Sequence, residues 1–285
     1  MNTVTGTKAT VPNAESSTNA MAAEFRQVLL FGASNLVLGW RALTRQLQQR
    51  LLQPVQLHTC LGMGRSYLRP SRCLQRVLPG VLESRIWQNL PAPATTPPLV
   101  LLTDVGNDII YRYAPPDIQQ AVGETVRRIR QWDARADIIL TGLPVAALND
   151  LTPFRFRIAR RLLFQGSPLT LSEAREQSHQ LQQLLIDLAA EQGLRMVHPQ
   201  RAWYGIDPIH YRRGCRDAAF GTYFDHWTQV QVAAGAEAAA GTPLVKGGQS
   251  LTPPLPVSAD VTRRGRLIVT PQPVFRSSRL QVSAW

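Results

Sequence analysis

Four short segments hold the residues whose types and order could do chemistry together: Phe31-Gly32-Ala33-Ser34, Gly62-Met63-Gly64, Gly106-Asn107-Asp108 and Asp207-Pro208-Ile209-His210. A serine hydroxyl becomes a useful nucleophile only when a base takes its proton, and histidine is the usual base. Asp207 stands three residues before His210. On one turn its carboxylate can hold the imidazole in the tautomer that accepts the serine proton. Ser34, His210 and Asp207 thus read as nucleophile, base and orienter for acyl transfer. A tetrahedral intermediate also needs donors for its oxyanion. The Ser34 N–H, a glycine that admits the reacting carbonyl close to the backbone, and the Asn107 amide would supply them. Gly64 is the glycine assigned to this role, with Gly62 as the alternative.

The elements that must bring these residues together are legible as apolar periodicity. Strand-like runs cover residues 27–31, 55–61, 99–103, 138–141 and 194–197, and helical patterns cover 36–52, 72–88 with a break at Pro79-Gly80, 116–134 and 171–192. The prolines of 91–98 cannot join a ladder and mark a loop. This alternation predicts a parallel sheet covered on both faces: a flavodoxin-like three-layer α/β fold with five strands in the order 2-1-3-4-5. The first three strands then end, side by side, in Ser34, Gly64 and Asn107, at the crevice where such sheets hold ligands. Ser34 falls where the chain turns into the first helix, whose N-terminus favours developing negative charge.

At this point the chain resembles the SGNH, or GDSL-type, serine hydrolases. The family's serine, glycine, asparagine and histidine fall on Ser34, Gly64, Asn107 and His210, with Asp207 as the acid, and the similarity spans residues 27–228. The spaced set is far more specific than any one member. The resemblance implies an ester or thioester hydrolase working through an acyl-serine, with no cofactor and no metal. Two features depart from the pattern: Gly-Asp-Ser reads Gly32-Ala33-Ser34, and the glycine block is short. Ala33 replaces an acid that does not accept the proton, so chemistry should survive with altered local hydrogen bonding. A catalytically silent binding protein of the same fold is the alternative, with a basic nucleic-acid-associated protein a less favoured one.

Composition bounds the other classes. The chain has 285 residues, 44% of them hydrophobic, enough for one large core. The formal charge is +12, carried by arginine, since Lys8 and Lys246 are the only lysines. No basic-aromatic module or zinc-finger spacing accompanies it, so specific nucleic-acid binding is not expected and a small-molecule ester is the expected partner. Three scattered cysteines, Cys60, Cys73 and Cys215, suit a reducing compartment. No secretory signal is evident near the start, and no apolar run approaches the ~20 residues of a membrane span. A cytoplasmic protein is the expectation, with translation starting at Met1 or at Met21. His58 and Cys60 share a strand face but lack the second pair a zinc site needs.

Three organisational expectations complete the reading. Residues 1–25 form a disordered extension, 26–240 the hydrolase domain, and 241–285 a Pro-rich basic tail. Within the tail, 267–270 and 273–282 could be short strands, but loose packing is the preferred reading. The long segment 144–168 carries mixed apolar and cationic residues and reads as a surface helix docked on the sheet, or else a lid. Arg65, Trp203 and Tyr204 are candidate pocket residues. With Arg212 and Arg213, Arg65 would make a positively charged mouth that favours anionic esters.

Overall fold

The computed structural model describes residues 24–73, 75–163, 168–228 and 252–285. All but the last two residues of the expected extension over 1–25, and the first part of the tail, lie outside them. In chain order the elements are β1 (Arg26–Phe31), α1 (Ser34–Leu38), α2 (Trp40–Arg50), β2 (Val55–Cys60), β3 (Ser71–Cys73), β4 (Arg76–Leu78), α3 (Ile86–Asn89), β5 (Leu99–Leu102), α4 (Asn107–Ile110), α5 (Pro115–Trp132), β6 (Asp137–Thr141), α6 (Val145–Asn149), α7 (Pro153–Leu163), α8 (Leu171–Glu191), β7 (Arg195–Val197), α9 (Arg216–Phe224), β8 (Asp260–Arg263), β9 (Arg266–Val269), β10 (Phe275–Arg276) and β11 (Leu280–Ala284).

β1, β5 and most of β6 are buried along their length, as strands covered on both faces must be. Alternate side chains serve two separate cores. Leu29 and Phe31 pack with Ile118, Val122, Leu181 and Leu185, on the face covered by α5 and α8. Val28 and Leu30 pack with Leu43, Leu47, Phe220 and Phe224, on the face covered by α2 and α9. Local sequence starts the first pair of helices: α5 has proline in its first turn, and α8 opens with a capping box between Thr170 and Glu173.

The sheet has seven strands in the order β10-β11-β2-β1-β5-β6-β7, not the five expected. The five expected strands are neighbours within it. The tail adds β11, parallel to β2 with Val282 opposite Leu57, and β10 antiparallel to β11. Leu280, Val282 and Ala284 are buried there, so this part of the tail is packed rather than loose. The segment 273–282 could be read as a short strand, but its partner β2 lies far away in sequence, so local pattern did not decide whether it packs.

Two other expectations change. The pattern over 72–88 is not one helix: it forms β3, β4 and the short α3, because β4 pairs with β8 of the tail in a second sheet, β3-β4-β8-β9. The pattern over 36–52 is broken at Gly39, where an added Cβ would lie 2.3 Å from the Phe220 ring. The segment 144–168 contains α6 and α7. Phe156 is buried against the α5/α8 core while Phe154 and Ile158 are exposed; residues 164–167 lie outside the described chain.

Candidate active site

β1 delivers Ser34 through a tight exit. An added Cβ at Gly32 would stand 2.6 Å from Thr103 Cγ2 and 2.9 Å from Leu36 Cδ1, so a larger residue would have to push both side chains aside for β1 to leave this close to β5. Ser34 is the first residue of α1 and is buried. The residues on either side of it are held by one carboxylate: Asp104 Oδ2 accepts the Ala33 N–H at 2.8 Å and the Asn35 N–H at 3.0 Å. Asp104 itself sits at φ +59°, a left-handed conformation that costs about 1 kcal/mol or more outside glycine. Burial raises its pKa, against the pull of these hydrogen bonds and of His210.

Asp207 and His210 form the other half. Asp207 Oδ2 lies 2.6 Å from His210 Nδ1, and Asp207 Oδ1 accepts the N–H groups of Ile209 at 2.9 Å and His210 at 3.2 Å. The pair sits on a loop between two 3-10 turns, Arg201–Trp203 and Arg213–Cys215, and its turn is closed by the aspartate itself. Burial pushes the Asp207 pKa up, but the His210 contact and the two backbone donors outweigh it and hold the carboxylate below its ordinary value. With Nδ1 donating to that carboxylate, Nε2 is left as the basic nitrogen.

Asn35 joins the two halves. Its Nδ2 donates to Asp104 Oδ1 at 2.7 Å and to the Ile209 carbonyl at 3.0 Å, and its Oδ1 accepts the Tyr211 N–H at 3.0 Å. The residue after the serine therefore grips the chain on both sides of His210. Among the described residues, no hydrogen bond links the Ser34 hydroxyl to His210; such bonds often tighten only when substrate is bound.

Asn107 opens α4 directly after the β5 loop. It is buried, and its Nδ2 has no hydrogen-bond partner among the described residues. Gly64 has φ +68°, its carbonyl accepts the Tyr111 hydroxyl at 2.5 Å, and a Cβ there would stand 2.8 Å from that hydroxyl. Gly62 is constrained differently: its Cβ would meet Leu78 Cδ1 at 2.2 Å. Beside Asn107, Asp108 is fully buried and accepts the Tyr67 N–H at 2.8 Å, which ties the asparagine loop to the glycine loop. Burial raises its pKa to about 7.

A cleft of about 920 Å³, counted with its open mouth, runs from Asn35, Asp104 and Asn107 toward α7 and α8. Its inner wall is apolar: Val105, Ile109, Leu143, Leu148, Phe156 and Leu169. Tyr204 lines it. Arg65 and Trp203 do not, which corrects two of the three pocket residues. Arg65 is buried and donates to the backbone carbonyls of Pro79 at 3.1 Å, Leu61 at 3.2 Å and Trp285. Trp203 packs edge-on against Tyr211 and Tyr223 in the core. The charged mouth thereby loses Arg65; Arg212 is exposed and donates to the Ala202 carbonyl at 2.6 Å.

Sequence reasoning missed Asn35 and also Asp104, which lies outside the four segments and takes the N–H groups of Ala33 and Asn35. The one signal for Asn35 was a polar side chain next to the serine in an otherwise apolar helix start, Ser-Asn-Leu-Val-Leu. Among the described residues no group of three or more His, Cys, Asp or Glu side chains could hold a metal ion, and no helix is long and apolar enough to cross a membrane.

No family model and no curated protein matches the chain. Solved structures with similar backbones include TesA, with a TM-score of 0.46 and 16% identity over 72% of this chain and 99% of that chain. A psychrotrophic esterase, EstA, from Pseudoalteromonas sp. has a TM-score of 0.43 and 11% identity over 72% and 98%. An extracellular lipase from Streptomyces rimosus has a TM-score of 0.43 and 10% identity over 72% and 100%. At such low scores and identities nothing about the chemistry is drawn from them.

Proposed function

We propose that this chain is an SGNH-type hydrolase of carboxylic esters or thioesters. The observation that carries the proposal is the Asp207–His210 pair at 2.6 Å, gripped through Asn35 beside the buried Ser34. Ser34 Oγ attacks the carbonyl carbon as His210 Nε2 takes its proton. The oxyanion is held by Asn107 Nδ2, which has no partner within the described protein, together with the N–H groups of Ser34 and Gly64. As the intermediate collapses, His210 returns the proton to the leaving alcohol or thiol, and the acyl group stays on Ser34. Water then attacks the acyl-serine with His210 again as base, and the carboxylic acid leaves.

The apolar cleft on the Asn107 side receives the acyl chain. Each methylene buried there adds about 0.8 kcal/mol, roughly fourfold in kcat/KM, until the cleft is full. A fluorophosphonate tests the assignment: it should label the wild type and leave Ser34→Ala and His210→Ala unlabelled. Absence of labelling in the wild type would leave a silent binding protein as the reading.

A further inference from the structure

The hairpin of β8 and β9 stands apart from the rest of the surface. β9 is an edge strand of the smaller sheet, and every residue from 263 to 269 is exposed. Leu267 is 65% exposed, Ile268 43% and Val269 58%. A strand normally hides one face, so three consecutive large apolar side chains left bare on an edge require something to cover them. Around them stand Arg263, Arg264 and Arg266. Among the described residues no carboxylate pairs with these three; Asp260, the only acid of the hairpin, is taken by Arg85 at 3.2 Å. Arg264 is braced by Gln75, with Nε 2.8 Å from its Oε1.

Bare apolar residues flanked by unneutralised arginines complement one kind of surface in both respects. Anionic headgroups meet the guanidinium groups, and the acyl boundary beneath takes up the apolar side chains. We propose that the β8–β9 hairpin docks the protein on an anionic lipid surface. Lipid is favoured over a second copy of the chain, because pairing two such hairpins would bring two unneutralised arginine clusters together. The placement is consequential. β4, the partner of β8, presents Leu78 to Gly62, and β3 presents Cys73 to Gly64, so the docked sheet packs directly on the glycine loop of the proposed active site. The docking itself does not depend on the hydrolase reading, and its test reads binding rather than turnover.

The test is sedimentation of the full chain with vesicles of phosphatidylcholine alone and of phosphatidylcholine mixed with phosphatidylglycerol, at low and high salt. Binding should require the anionic lipid and weaken with salt. Each arginine near an anionic surface is worth about fivefold, so Arg264→Gln/Arg266→Gln should weaken binding by about twenty-five-fold. Leu267→Ser/Val269→Ser should weaken it by at least tenfold, on the order expected for two exposed-to-buried aliphatic side chains. All four positions are exposed, so both variants should fold, and unchanged thermal melting verifies this. Arg41→Gln/Arg127→Gln is the charge-matched control and should bind like the wild type. Equal binding to neutral vesicles, no binding to anionic ones, or equal loss in the control would each overturn the proposal. So would a wild-type dimer in sedimentation velocity that Leu267→Ser/Val269→Ser abolishes without any vesicle binding, which would give the edge to a second copy.

Discussion

Two buried polar knots flank Ser34, and they serve different ends. On the β5 side, Asn35 and Asp104 connect the turn after β1, the loop after β5 and the loop that carries His210. On the β2 side, Arg65 connects the glycine loop to Pro79 and to Trp285, beside β11. Both lie within a few residues of a motif, and both are largely shielded from water. Only the first borders the cleft. A full charge next to Gly64 is thus a structural tie, whereas a neutral amide next to Ser34 grips the loop that carries His210. Proximity in sequence to a motif is a poor guide; which carbonyls and carboxylates surround a group after folding decides what it does.

On the proposed mechanism the largest effect should come from Asp207. Asp207→Asn keeps the shape of the loop but removes the charge that selects the His210 tautomer, and kcat should fall by about four orders of magnitude. A plateau rate within tenfold of the wild type would show that Asp207 only shapes its loop.

The tie between Asp108 and the glycine loop should appear in the pH dependence of stability. The Asp108 carboxyl keeps its proton up to about 7 in the folded chain, against an ordinary value of 3.8. The folded state therefore binds this proton more tightly than the unfolded state, and the associated stability is full below about pH 4 and lost as pH rises through about 7. At 1.36 kcal/mol per pH unit the loss reaches up to about 4 kcal/mol. Asp108→Asn, which keeps an acceptor for the Tyr67 N–H, should remove this slope. Parallel curves of unfolding free energy against pH for the two proteins would refute it.

On the proposed mechanism, in which the amide donates to the oxyanion more than to the ground-state carbonyl, Asn107→Ala should lower kcat by about a hundredfold to a thousandfold with little change in KM. A change confined to KM would move Asn107 from the oxyanion to the walls of the cleft.

The two knots can then be compared directly. Asn35→Ala should reduce kcat by about 10- to 100-fold by letting the His210 loop drift, with modest loss of stability. Arg65→Met should do the reverse: a loss of about 2–5 kcal/mol in urea unfolding, from stranded carbonyls, with kcat per labelled serine within about threefold of the wild type. If the two variants behaved alike, the distinction between positioning and tying would fail.

Part of the candidate site is local enough to be legible in the sequence. Ser34, Asn107, Asp207 and His210 could be named as candidates because strand ends and short turns are local, and the acid and base stand three residues apart and make their own contact. The five inner strands were legible for the same reason: a buried parallel strand is a near-continuous apolar run. The helix expected over 72–88 failed because short apolar runs suit helix or strand equally, and a distant partner, β8, decided between them.

The amino-acid sequence by itself determined the α/β alternation, the order of the motifs, and the intrinsic conformations that only certain residues permit, such as Gly64 at φ +68°. Tertiary structure alone decided that Arg65 ties loops together, that Asn35 grips the His210 loop, that β11 completes the sheet beside β2, and that the cleft is apolar. The physical reason is range. Backbone propensity and periodicity act over a turn or a strand, whereas the partners of a buried polar group are supplied by segments that meet only once the chain has closed on itself.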